Sequence, residues 1–216
     1  MKSLFNLFKN KKPDWPVLPQ PDDSLTFFET IKSLSEQYWL DIAIDKTIYG
    51  FQVQRGSKWR KGLSNTEIEN FEKAMGFTFP IVLKNYYTTM NGLTKPGINI
   101  YGSSNTPPTY NPIFYSYPDD LELINKMIDW IYEENNITQE KIKQENISRI
   151  FPVTGHRFML IDVPNNPILS IQGNDIIYWS DNLSKLLAND TIGNIWNISD
   201  FESPPQNRTD IKFWLD

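Results

Sequence analysis

The 216-residue chain contains no cysteine and a single histidine. Without cysteine there is no disulfide framework, no thiolate nucleophile, no iron–sulfur cluster and no thiolate zinc site, and the absence suits a reducing compartment. One histidine, His156, cannot build an HExxH or multi-histidine metal centre, which leaves only carboxylate sites for hard cations. Neither G-x-G-x-x-G nor G-x-x-x-x-G-K-[ST] occurs, so both phosphate-cradling loops are missing and no cofactor is expected. No apolar run approaches the ~20 residues of a membrane span. At the start of the chain Leu4, Phe5, Leu7 and Phe8 are interrupted by Asn6 and followed by Lys9, Lys11 and Lys12, unlike the longer apolar core of a signal peptide. A cytoplasmic protein with no membrane span and no bound metal is the expectation. Positive charge is also in deficit: 21 Lys and Arg stand against 26 Asp and Glu, a net charge of −5. That field repels phosphate backbones, which argues against nucleic acid, and attracts cationic partners.

Apolar and aromatic residues are plentiful instead, at 39% and 14% of the chain. At roughly 150 residues per domain this length fits one large domain, and burial of about 70% of the unfolded surface needs no staple. Residues 1–23 read as a tail and spacer, because Pro13, Pro16, Pro19 and Pro21 each fix φ and withhold a donor. Residues 24–216 read as one domain.

Within it, Leu25, Phe28, Ile31 and Leu34 recur at helical spacing after the capping residues Asp22, Asp23 and Ser24, predicting a helix over 24–39. The run Ile48 to Gln54 reads as a strand with a softened start at Gly50. Ser64-Asn65-Thr66-Glu67 has the spacing of a capping box. It predicts a helix with Ile68, Phe71 and Met75 as its stripe, ended by Gly76. A second helix begins at Pro80 and runs through Leu83, Tyr86, Tyr87 and Met90 to Asn91-Gly92. From Lys95 to Pro118 the chain reads as loop with two short strands, Ile98–Tyr101 and Ile113–Tyr117. Asp119 and Asp120 open another helix with Leu121, Ile124, Ile128 and Ile131 on one face, and Thr138 opens the next with Ile137 and Ile142 as a hydrophobic staple. Strands follow at 150–153, 158–163, 168–171 and 176–179, the last pair joined through Gln172-Gly173-Asn174-Asp175. A final helix after Ser180 carries Leu183, Leu186 and Leu187. Helices followed by hairpin-linked strands predict an α+β fold: a mainly antiparallel sheet of about five or six strands, covered on one face by the helical pair and further helices.

Few residues offer chemistry. Asp119 and Asp120 are adjacent at a helix start, where carboxylates favour the dipole, and they point apart rather than forming an acid–base pair. Glu133-Glu134 is a solvated helix end. His156, between Gly155 and Arg157, has an intrinsic pKa suited to general-base work, but no nucleophile elbow accompanies it, and no catalytic residue is assigned. Arg55, Lys58, Arg60 and Lys61 around Trp59 form a cation-and-ring mixture that single-stranded nucleic acid could meet. In an acidic chain it reads as a loop before a capped helix.

The stretch Leu63 to Pro80, followed by Leu83, Tyr86-Tyr87 and Asn91-Gly92, resembles the SUKH superfamily, which includes fungal cell-wall-assembly (glucan synthesis) regulators and bacterial immunity proteins. The shared pattern is a Ser/Thr-x-x-Glu-Ile helix, a Gly and a Phe-Pro step, then a helix closing on Asn-Gly. Ile150-Phe151-Pro152-Val153 and the hairpin ending in Ile176–Trp179 resemble the family's strand region. The likeness spans about residues 60–190. Where such proteins have Gly-Asp before a core strand this chain has Gly155-His156, so a role tied to that Asp does not carry over. The resemblance implies a non-enzymatic protein-binding domain: an immunity protein that neutralises a basic toxin, possibly a nuclease, by covering it. Its alternatives are a cell-wall or signalling scaffold, or a small hydrolase working through His156. The expected partner surface is Tyr101, Tyr110, Phe114, Tyr115, Tyr117, Asp119 and Asp120, where rings provide anchors, prolines stiffen the loop and carboxylates meet a cationic partner.

Overall fold

A computed structural model of the chain describes residues 20–102, 104–192, 211 and 213–215. The expected tail over residues 1–23 lies almost wholly outside these. The described residues form an α+β fold with six helices and nine strands. All strand pairs are antiparallel.

Helix α1 (Leu25–Tyr38) is capped by Ser24, whose Oγ accepts the Phe27 amide at 3.1 Å. It buries Phe27, Phe28, Ile31 and Leu34. Strand β1 (Tyr49–Gln52) follows, then β2 (Trp59–Lys61). Helix α2 (Asn65–Met75) starts at the expected capping box, with Ser64 and Glu67 bonded in both directions, and stops at Gly76 in the left-handed conformation at φ +75°. That conformation is nearly free of cost only for glycine. Helix α3 (Ile81–Thr89) is shorter than its apolar spacing predicts. Met90 leaves the helix because β3 (Met90–Leu93) pairs with β2.

This ribbon corrects the expectation for residues 55–61. Trp59 is a core residue, its ring 4.7 Å from Phe114 and 5.5 Å from Trp39, with Nε1 donating to Ser35 Oγ at 2.8 Å. Only the cations around it face outward, and Arg60 is paired with Asp119. Gly62, next in the chain, packs directly on α3: a Cβ there would lie 1.8 Å from the Thr88 carbonyl oxygen.

Strand β4 (Gly97–Tyr101) joins β1 and β5 (Thr109–Asn111) in a three-stranded sheet ordered β1-β4-β5. The expected strand at Ile113–Tyr117 is reduced to one bridge, Phe114 to Thr154. Helix α4 (Leu121–Glu134) and helix α5 (Gln139–Glu145) follow, the latter capped by Thr138 and stapled by buried Ile137 against Ile142. The last sheet, β6 (Ile150–Thr154), β7 (Arg157–Leu160), β8 (Ile168–Gln172) and β9 (Asp175–Ser180), is a four-stranded meander in sequence order. Nine strands are therefore divided among three sheets, with four in the largest and the Phe114 bridge extending its β6 edge.

The largest sheet is covered on both faces, not one. Phe151, Val153, Met159 and Ile168 belong to the cluster with α1, α2, α3 and α6, whereas Ile150, Phe158, Leu160, Leu169 and Ile171 join a second cluster with Ile131, Ile137, Ile211 and Trp214. Alternation along each strand sends successive side chains to opposite clusters, so the strands read as continuous apolar runs.

Helix α6 (Leu183–Ile192) completes the first cluster. Its cap is Asn182, whose Oδ1 accepts the Lys185 amide at 2.8 Å, while Ser180 Oγ donates to the Asn182 carbonyl. Ser184 Oγ reaches the Asp22 carbonyl at 2.6 Å, tying α6 to the residues just before α1.

Candidate functional site

The expected partner surface is divided by the fold. Phe114 and Tyr115 are both core residues, 3% exposed, and a partner cannot reach them. Burial pushes the Tyr115 phenol up, and its hydroxyl donates to the Gly155 carbonyl at 2.8 Å. Tyr117 stacks on Phe71 with centroids 4.5 Å apart and is half-buried. Two helices already pack over this stretch, so proline-rich sequence does not keep its rings in solvent. Tyr101 is half-buried, its hydroxyl within 3.1 Å of Thr109 Oγ1. Tyr110 alone of the five rings stays exposed, at 58%. Asp119 and Asp120 serve local structure. Asp119 accepts from Arg60 at 2.6 Å, and Asp120 accepts both the amide and hydroxyl of Ser116 at 2.7 and 2.6 Å.

What sequence reasoning missed is a cleft of about 610 Å³ between the three-stranded sheet and the β6–β7 turn. One wall is β1 with its flanks, Ile48 to Val53, and the segment after α1; the other is Thr154–Arg157 with Asn189–Thr191 at the end of α6. Its volume lies within the range of small-molecule sites. Among the described residues strand β1 is an edge strand paired only with β4, and none of the described helices packs over its side chains. Ile48 is 47%, Tyr49 75% and Phe51 39% exposed along the rim. Alternating patterning gave the strand but not the missing layer.

Three ionisable groups from distant parts of the sequence meet in this cleft: His156, Arg157 and Asp190. Gly155, at φ +49°, makes the two-residue turn that presents His156 and starts β7 at Arg157. Desolvation, then the neighbouring Arg157 charge, lower the His156 pKa, which leaves the ring neutral near pH 7. Its ring makes no hydrogen bond to a described residue, and Thr191, the hydroxyl at the end of α6, donates to the Leu187 carbonyl at 2.6 Å.

Arg157 is clamped. Its guanidinium carbon lies 3.4 Å from the Trp179 ring centroid and Nη1 donates to Ser170 Oγ at 2.5 Å. Its Nε is buried without a partner. Desolvation lowers its pKa, opposed by Asp190. Asp190 is exposed at the end of α6, and desolvation by the protein beneath it raises its pKa to about 6 against the pull of Arg157. It also lies in the last turn of α6, where the helix dipole disfavours a negative charge. No group of three or more metal-ligating side chains occurs among the described residues, nor any helix long and apolar enough to cross a membrane.

No family model matches the chain, and no curated protein matches it.

Proposed function

We propose that this chain is a protein-binding domain of the SUKH kind that neutralises a basic toxin by covering it, and that the partner surface is the β1 rim. The observation carrying the reading is three exposed apolar side chains, Tyr49 and Phe51 on the edge strand β1 and Ile48 just before it. Exposed rings in one place supply the desolvated anchors that dominate protein interfaces. The overall charge of −5 favours a cationic partner. The α2–α3 pair that prompted the family resemblance, with its capping box at Ser64 and Glu67, supports the same reading. The action is binding rather than catalysis.

The test is affinity between the full chain and a toxin encoded beside its gene. Tyr49→Ala is expected to weaken binding by about 2 kcal/mol, while Lys126→Ala, on an exposed i,i+4 pair with Glu122, costs little. Equal small losses for both variants, or no binding to the neighbouring toxin, would sink the proposal.

A further inference from the structure

The described arginines divide unevenly. Arg55 is paired with Asp41, Arg60 with Asp119 and Arg149 with Asp162. Arg157, more enclosed than any of them, has no carboxylate within ion-pair distance among the described residues, although Asp190 lines the same cleft. Asp190 in turn takes neither a hydrogen bond nor an ion pair from a described residue. Two opposite charges thus face one cavity too far apart to satisfy each other: Arg157, whose buried Nε has no partner, and Asp190, exposed at the cleft's other side. The arginine is held in place by the Trp179 stack and the Ser170 hydroxyl, which removes its freedom to swing across. Asp45, the other acidic residue of the lining, is already occupied by the amide and hydroxyl of Thr47.

A ligand that repairs both deficits carries a carboxylate and an ammonium group. We propose that the cleft is a binding site for a zwitterionic, amino-acid-like ligand, its carboxylate on Arg157, its ammonium on Asp190 and its apolar body against Tyr49 and Phe51. Guanidinium matches carboxylate in planar geometry, and an ammonium ion bonds readily to a single carboxylate. A ligand of one charge would leave the opposite protein group desolvated and unpaired, so single-charge analogues bind less well. A carboxylate and an ammonium on one carbon belong to a free amino acid; in a dipeptide the two charges stand a residue apart. This inference goes beyond the partner reading and does not rest on it.

The test is calorimetric titration of the full chain with L-phenylalanine, phenylacetate and phenethylamine, which share a ring and differ only in charge. Phenylalanine is expected to bind at least about tenfold more tightly than either analogue. Arg157→Gln should remove that advantage and leave phenethylamine preferred, and Asp190→Asn should leave phenylacetate preferred. A reversal of preference between two variants cannot come from misfolding, and matching thermal midpoints provide a second check. Glycyl-phenylalanine, which moves the ammonium one residue from the carboxylate, is expected to bind more weakly than phenylalanine, and equal binding overturns the assignment to a free amino acid. No binding of phenylalanine up to ~10 mM, the weak end of small-ligand affinity, overturns the proposal. So does equal binding of the three probes, or binding unchanged in both variants.

Discussion

The four-stranded and three-stranded sheets are built on the same antiparallel plan, and aromatic residues accompany both, but their rings meet opposite fates. Phe151 of β6 lies between Phe71, Phe77, Phe79 and Tyr87 and has no exposure, while Tyr49 and Phe51 of β1 reach solvent. The side-chain chemistry is similar; the presence of a second layer differs. An aromatic residue becomes core where a capped helix is held over it and becomes a contact surface where the sheet stands alone. Arg157 and Asp190, which make no ion pair with a described residue, lie at the border between the two sheets.

The contrast should be measurable by denaturant unfolding. Phe71→Ala removes the ring at the centre of the covered layer and is expected to cost about 3–5 kcal/mol, whereas Phe51→Ala on the open sheet should cost under about 1 kcal/mol. Equal losses would break the comparison. Next, Gly62→Ala drives a methyl group into the Thr88 backbone, which cannot give, for an expected loss of about 3 kcal/mol. Gly50→Ala meets nothing within 4 Å, and its loss of about 1 kcal/mol comes from φ +113° alone. Ser64→Ala removes one half of a capping box and should lower stability by about 1 kcal/mol.

One effect has the opposite sign. Folding raises the Asp190 pKa from the ordinary 3.8 to about 6. The folded state therefore holds that proton more tightly, and stability is lost as pH rises from about 4 through about 6. Asp190→Asn is expected to add about 1 kcal/mol at pH 7.5, a figure reduced for solvent reaching the cleft, and nothing at pH 3.5. A gain of equal size at both pH values would show that ionisation is not its cause.

The covered region was legible in the sequence because its signals are local. Ser64 and Glu67 state the start of α2, Gly76 its end, and Gly173 the β8–β9 turn, at φ +62°. The four-stranded meander follows chain order, so neighbours in sequence are neighbours in space. Trp59 and Phe114 were misread because burial there depends on residues from α1, α3 and the β2–β3 ribbon. The cleft was illegible for the same reason: Tyr49, Arg157 and Asp190 share no window, and nothing local tells a core aromatic from a rim one. One signal was available, an aspartate in the last turn of an apolar helix, against the dipole.

The Ser184 bond to the Asp22 carbonyl joins positions 162 residues apart. During synthesis α1 emerges long before α6, and part of the packing for Phe27, Phe28 and Ile31 must wait until α6 leaves the ribosome. Contacts of such separation are closed late and at high entropic cost, which slows folding relative to the local α2–α3 pair. Until that closure the apolar stripe of α1 lacks its α6 cover, an interval in which the nascent chain is open to aggregation or to chaperone capture.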